Sequence, residues 1–219
     1  MHRLQAGALS SGKRSGEAEN RFAEMKIGVF GGTFNPPHNG HRFLISAIQK
    51  KLKLDMVLIV PDRIPPHKEI LENRPEHRLA MTRLAFPEYV VDESELGREG
   101  KSYTSDTLVA LKQKYPNDQL VLICGSDMFL TLSEWHEPET IFRLAVVATA
   151  AREKWKLFRL WLKKISYRLR FGAHTVVVPL TPMEISSSAV REAVRRGEGI
   201  SNEVPPAVER YIRENHLYE

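Results

Sequence analysis

The 219-residue chain has a single cysteine, Cys124, so no disulfide can form within it. That usage fits a reducing compartment, and a cytoplasmic location is expected. No apolar run approaches the roughly 20 residues that span a bilayer, so no transmembrane helix is expected. The opening stretch, MHRLQAGALSSGKRSGEAEN, lacks the long apolar core of a secretory signal. Neither of the two common phosphate loops occurs: there is no G-x-G-x-x-G and no Walker-type Lys-Ser/Thr spacing. Internal repeats are missing as well.

A uniformly basic surface is also missing, although the net charge is +5. Residues 152–170, REKWKLFRLWLKKISYRLR, carry eight Lys/Arg against one Glu, a net +7. The rest of the chain therefore sums to −2. The positive charge belongs to one segment, and no nucleic-acid partner follows from it.

What the chain does have is alternation. Residues 1–24 are polar, Ser/Gly-rich and without period, and read as a flexible tail. From Met25 on, short apolar runs alternate with helical stripes, and 25–219 reads as one domain. Strands are expected at 25–30, 55–61, 89–92, 119–125, 144–150 and 174–180. Helices are expected at 41–52, 74–86, 102–116, 186–199 and 204–218. Near-continuous apolar strands separated by helices define an α/β fold: a Rossmann-like, doubly wound parallel sheet covered on both faces. In such sheets ligands sit beyond the carboxyl ends of the strands, where the strand order reverses.

The first strand ends in GGTFNPPHNGH (31–41). Gly31 and Gly32 let backbone N–H groups approach a ligand. The helix that follows aims its N-terminus at the same spot, which makes an anion site. His38 and His41 lie one helical turn apart and can share a face. A metal would need a third ligand nearby, and Pro37, Asn39 and Gly40 are poor candidates, so no protein-held metal is expected and phosphate is the better partner. The plain alternative is one capping and one exposed histidine.

GGTFNPPHNGH resembles the G-x-F-(D/N)-P-x-H-x-G-H signature of the nucleotidylyltransferase superfamily. Its second signature, Ile-Ser-Ser-Thr-x-x-Arg, has a counterpart in ISSSAVR (185–191), with a serine hydroxyl at Ser188 in place of threonine. Between them PPHK (65–68), EHRLAM (76–81), SYTSDTL (102–108) and GSDMFLTLSEWHE (125–137) are similar in order and spacing to the nicotinate-mononucleotide adenylyltransferases. So is VPPAVERYIRENHLY (204–218).

The resemblance implies adenylyl transfer from ATP to nicotinate mononucleotide, giving deamido-NAD and pyrophosphate, with Mg²⁺ carried in on ATP. It implies that Gly31, Gly32, Thr33 and Phe34 cradle both nucleotides. His38 and His41 would contact the ATP phosphates, Lys68 would reach them as a cation, and Ser186, Ser187, Ser188 and Arg191 would hold the β- and γ-phosphates, with helix N-capping the alternative for the serines. Asp127 would take ribose hydroxyls, with an N-cap as its alternative. Thr104 and Trp135 would meet the pyridine end, with core packing the alternative for Trp135. Arg78 and Arg83 are further candidates for the substrate carboxylate or phosphate, with exposed helix arginines of no specific role as the alternative. The chemistry needs two polyanions positioned and charge absorbed, and no nucleophile–base arrangement is visible.

The pattern breaks once. Where the family carries an Arg-Pro-Gly-like stretch, this chain inserts a basic amphipathic segment at about 152–171. Trp155, Phe158, Leu162, Ile165 and Leu169 fall at spacings of 3, 4, 3 and 4, a helical stripe. That stripe is expected to pack on the domain or on a second subunit of a homo-oligomer, in preference to a membrane surface. Rival functions are a sibling enzyme acting on nicotinamide mononucleotide or phosphopantetheine, a nucleotide-binding regulator without turnover, and a basic adaptor resting on 152–170 alone.

Overall fold

A computed structural model describes residues 24–62, 74–97, 103–151, 154–180, 183 and 185–219, without the side chains of residues 154 and 155. Six strands form one all-parallel sheet: β1 (Lys26–Gly32), β2 (Met56–Pro61), β3 (Val90–Val91), β4 (Gln119–Ile123), β5 (Ala145–Ala151) and β6 (Thr175–Pro179). Their order across the sheet is β3-β2-β1-β4-β5-β6. The chain thus builds outward from β1 on one side, then returns to build outward from β4 on the other. The reversal lies between β1 and β4, whose carboxyl ends open a crevice there.

Side chains of a strand alternate between faces, and here both faces are buried. Phe30, Ile59, Val121, Ile123 and Ala148 face one core with α1 (Asn39–Leu52), α2 (Pro75–Ala85), α7 (Ser187–Arg195) and α8 (Pro206–Glu214). Ile27, Val29, Leu58, Leu122 and Val147 face the other. There they meet α3 (Thr104–Lys114), α4 (Ser126–Thr131), α5 (Pro138–Leu144) and α6 (Lys154–Phe171).

Every strand and long helix expected from the sequence is present, within a few residues. The pair α4 and α5, joined by a 3-10 turn at Leu132–Glu134, was not expected. Six and seven residues are too few to display a helical period. Burial holds them in place: Phe129, Leu132 and Ile141 are fully enclosed.

The packing of α6 corrects the expectation that the stripe packs on the domain. The face turned inward carries Leu160 and Tyr167, with Leu157 and Phe171 packed beside them. Tyr167 donates to the Phe129 carbonyl at 2.7 Å, and its ring lies 4.7 Å from that of Phe142 and 5.4 Å from that of Phe129. That aromatic cluster, with a satisfied hydroxyl, decides which face goes in. Phe158, Leu162, Ile165 and Leu169 of the expected buried stripe are exposed, Leu169 at 82%. They do not pack on the domain.

Candidate active site

The loop between β1 and α1 is fastened from three directions. Phe34 takes φ 49°, a left-handed turn, and sends its ring into the core, 5.6 Å from Phe86 and 5.5 Å from His41. A Cβ on Gly32 would stand 3.0 Å from that ring, so the second glycine gives the Phe34 ring close approach to the strand end. Phe34 can therefore meet a ligand only through its backbone. Next to it, Asn35 is buried and accepts a hydrogen bond from the Tyr218 hydroxyl at 2.6 Å.

The second fastening comes from α7. Arg191 Nη1 donates to the Asn35 carbonyl at 2.8 Å, and Ser187 Oγ donates to the Pro36 carbonyl at 2.8 Å. Ser186 is the N-cap of α7, its Oγ accepting from the Ala189 amide at 3.1 Å. Arg191 Nη2 donates to Ser188 Oγ at 3.3 Å. The two sequence signatures therefore touch, and the N-termini of α1 and α7 abut one loop. Two helix ends of this kind concentrate partial positive charge.

The third is a buried arginine. Arg78 is wholly enclosed. Its Nη1 donates to the Thr33 carbonyl at 2.9 Å and the Asp62 carbonyl at 2.7 Å, and lies 3.2 Å from Asp62 Oδ1. Thr33 Oγ1 donates to Asp62 Oδ2 at 3.0 Å. Arg78, a candidate anion contact taken as an exposed helix arginine, is instead enclosed and serves as a structural tie. Arg83 pairs with Glu93 on the surface.

The two histidines stack, ring centroids 3.6 Å apart and planes 23° from parallel. A Cβ on Gly40 would stand 3.0 Å from His38 Nδ1, so the glycine of H-N-G-H makes room for that ring. His38 Nδ1 is buried without a hydrogen-bond partner among the described residues. His41 Nδ1 accepts from the His38 amide at 3.1 Å. An acceptor at Nδ1 puts the proton of the neutral ring on Nε2, making it a donor. Burial lowers the His38 pKa to about 4. Burial, then the neighbouring His38 charge, holds His41 well below the usual histidine range. Both rings are neutral at pH 7.

On the α3–α4 side of the sheet a cavity of about 230 Å³ opens beside the same loop. Gly31, Gly32 and Thr33 form one wall, and Thr104, Trp135 and Asp62 contribute to the others. Tyr103 and His136, which also line it, lie against each other with centroids 4.2 Å apart and planes tilted by 33°, joining the start of α3 to the segment after the 3-10 turn. Glu95, buried at the cavity, accepts from Thr107 Oγ1. Cys124 lines the cavity too, and burial pushes its thiol pKa up to about 12, so it stays protonated. Asp127 lies in the first turn of α4, exposed, beyond the carboxyl end of β4.

Gly31, Gly32, Thr33, His38, His41, Ser186, Ser187, Ser188 and Arg191 are thus gathered on one loop and two helix ends, with Thr104 and Trp135 across the cavity. Lys68 lies outside the described residues. Asp62, Glu95, Tyr103, His136 and Tyr218 were not singled out in the sequence. Asp62 had one available signal, its position directly after an apolar strand; the others had none beyond their type.

The chain belongs to the cytidylyltransferase-like family, whose model matches residues 29–193. Among curated relatives it is 36% identical to a probable nicotinate-nucleotide adenylyltransferase of Geobacter sulfurreducens over 214 residues, 89% of this chain and 98% of that one. It is 35% identical to the nicotinate-nucleotide adenylyltransferase of Bacillus subtilis, again over 89% of this chain and 98% of the relative. With these relatives it shares the nicotinate-nucleotide adenylyltransferase branch of the family. The fold is that of the Plasmodium falciparum nicotinic acid mononucleotide adenylyltransferase complexed with NaAD, at TM-score 0.71 and 20% identity over 89% of this chain and 98% of that chain.

Proposed function

We propose that the protein transfers the adenylyl group of ATP to nicotinate mononucleotide, releasing pyrophosphate and forming deamido-NAD, within cytoplasmic NAD synthesis. One observation carries the reading. The Gly31–Thr33 backbone stands between a cation-and-donor cluster on one side and an aromatic-lined cavity on the other. A loop so placed suits two nucleotides meeting at their phosphates.

In the reaction a phosphate oxygen of the mononucleotide attacks the α-phosphorus of ATP. A new P–O bond forms as the bond to pyrophosphate breaks, in line. No covalent enzyme intermediate is needed, and catalysis is positioning and charge stabilisation. His41, neutral with its proton on Nε2, would donate to an α-phosphate oxygen as charge builds there. His38 would stand behind it. Ser188 and the guanidinium of Arg191, with the free amides at the start of α7, would take the β- and γ-phosphates. Lys68 would add a cation.

Thr104 and the Trp135 face would receive the pyridine ring. Asp127 would take ribose hydroxyls. ATP would arrive as its Mg²⁺ complex, the ion neutralising charge on the leaving pyrophosphate. The His41 Nδ1 lone pair is already taken by the His38 amide, and the two rings stack, which suits an Nε2–H donating to phosphate better than a shared metal.

The test is pyrophosphate release from Mg-ATP with nicotinate mononucleotide, nicotinamide mononucleotide and phosphopantetheine offered separately. Release with the nicotinate form well above the other two is expected. Equal release with the amide form would place the specificity elsewhere. No release from folded, ATP-binding protein would favour a regulator.

A further inference from the structure

Helix α6 is two-faced in an unusual sense. Its inward face is satisfied by Leu160, Tyr167 and Phe171. On the side opposite to that face lies a second apolar ridge: Phe158, Trp161, Leu162, Ile165 and Leu169, all exposed. At 100° per residue these five fall within one arc of about 100°. Phe158 and Trp161 stack along it at 6.2 Å.

The flanks of the ridge are basic. Lys164 and Arg168 run along one side, and Arg159, Lys163 and Arg170 along the other. Lys163 and Arg170 reach over the rings of Tyr167 and Phe171, at 5.5 and 4.8 Å, which spreads them sideways from the helix. No Asp or Glu occurs between Lys154 and Phe171.

We propose that this face of α6 docks on an anionic lipid bilayer. The ridge would lie at the headgroup–acyl boundary, and the two basic rows would meet lipid phosphates on either side. Charge selects this occupant. A second copy packing ridge to ridge would set one +7 segment against another, whereas an anionic leaflet complements both rows at once. The helix cannot cross: among the described residues no helix is long and apolar enough to do so. It would lie flat.

The geometry leaves catalysis free. Helix α6 packs against the edge strand β6 and against α4 and α5, whereas the crevice lies between β1 and β4 in the middle of the sheet. The crevice at the carboxyl edge, between β1 and β4, stays open. Docking would set where the enzyme works and not whether it works.

The intact protein should be tested by co-sedimentation with vesicles of phosphatidylcholine alone and of phosphatidylcholine with 30% phosphatidylglycerol. Variants are Phe158→Ser/Trp161→Ser/Leu162→Ser and Lys164→Glu/Arg168→Glu. Sedimentation velocity and pyrophosphate release accompany each. Binding to the anionic vesicles at least about tenfold above neutral ones is expected, falling with salt. Both variants should lose it about tenfold or more, with turnover unchanged. Unaltered binding by the serine variant would mean charge alone and overturn ridge insertion. No binding by the parent protein at low salt would overturn the proposal. So would a parent dimer that the serine variant turns into monomer without any lipid binding, since a second copy would then own the ridge.

Discussion

Arg78 of α2 holds the carbonyl of Thr33, 45 residues away, at 2.9 Å, while its partner Asp62 holds the Thr33 hydroxyl at 3.0 Å. A charged pair at the carboxyl ends of β1 and β2 thus sets the shape of the nucleotide loop from beneath. Arg78→Met leaves the Asp62 carboxylate without its buried cation. Loss of about 3–5 kcal/mol is expected, seen as a lower urea midpoint. KM for both nucleotides should rise together. Adding Asp62→Asn should recover part of the stability; a strictly additive double variant would show the pair to be uncoupled.

His41→Ala removes the Nε2 donor while keeping the helix. Turnover should fall about 100-fold or more, with ATP affinity changed far less. Single-turnover kinetics alongside ATP titration separate the two. An equal loss in binding and turnover would mark His41 as a ground-state contact.

His38 gives a pH signature. Its folded pKa of about 4 lies below the ordinary 6.5, so below pH 6.5 the unfolded chain binds a proton that the folded chain refuses. The stability from keeping His38 neutral is complete above about pH 6.5 and is lost as pH falls towards 4. Its ceiling is roughly 3 kcal/mol. Urea midpoints across that range should decline, and His38→Asn should flatten part of the decline. Identical slopes in both proteins would remove the buried imidazole as the cause.

Tyr218→Phe deletes the hydroxyl that reaches Asn35 at 2.6 Å. A loss of about 1–2 kcal/mol is expected, together with a several-fold rise in KM for ATP. A variant with reduced stability and unchanged KM would confine Tyr218 to the core.

Trp135→Ala should raise KM for the mononucleotide more than KM for ATP, since Trp135 lines the cavity opposite Gly31–Thr33. Parallel increases would assign the indole to packing.

The sheet was readable because its strands are buried on both faces and so appear as unbroken apolar runs, VLIV in β2 and LVLI in β4. Gly32 and Gly40 were readable as glycines, but not the reasons for them, which are the rings of Phe34 and His38. The role of Arg78 was hidden because an arginine on a helix looks alike whether it faces water or is enclosed against a carboxylate and two carbonyls. On α6 the clean 3-4 stripe misled: the helix carries two apolar faces, and a hydroxyl–carbonyl bond at Tyr167 chose between them. Periodicity reports that a face exists, and only the neighbours report what it meets.

The partners of the nucleotide loop have a consequence in time. Pro36 and Asn35 are bonded by Ser187, Arg191 and Tyr218, which follow them in the chain by 151, 156 and 183 residues. During synthesis the loop is made long before the three residues that clasp it. A nascent chain can hold most of its core and still lack a formed anion site. Nucleotide capture therefore marks a chain whose distant parts have come home, and a ligand present during refolding should report late events in preference to early ones.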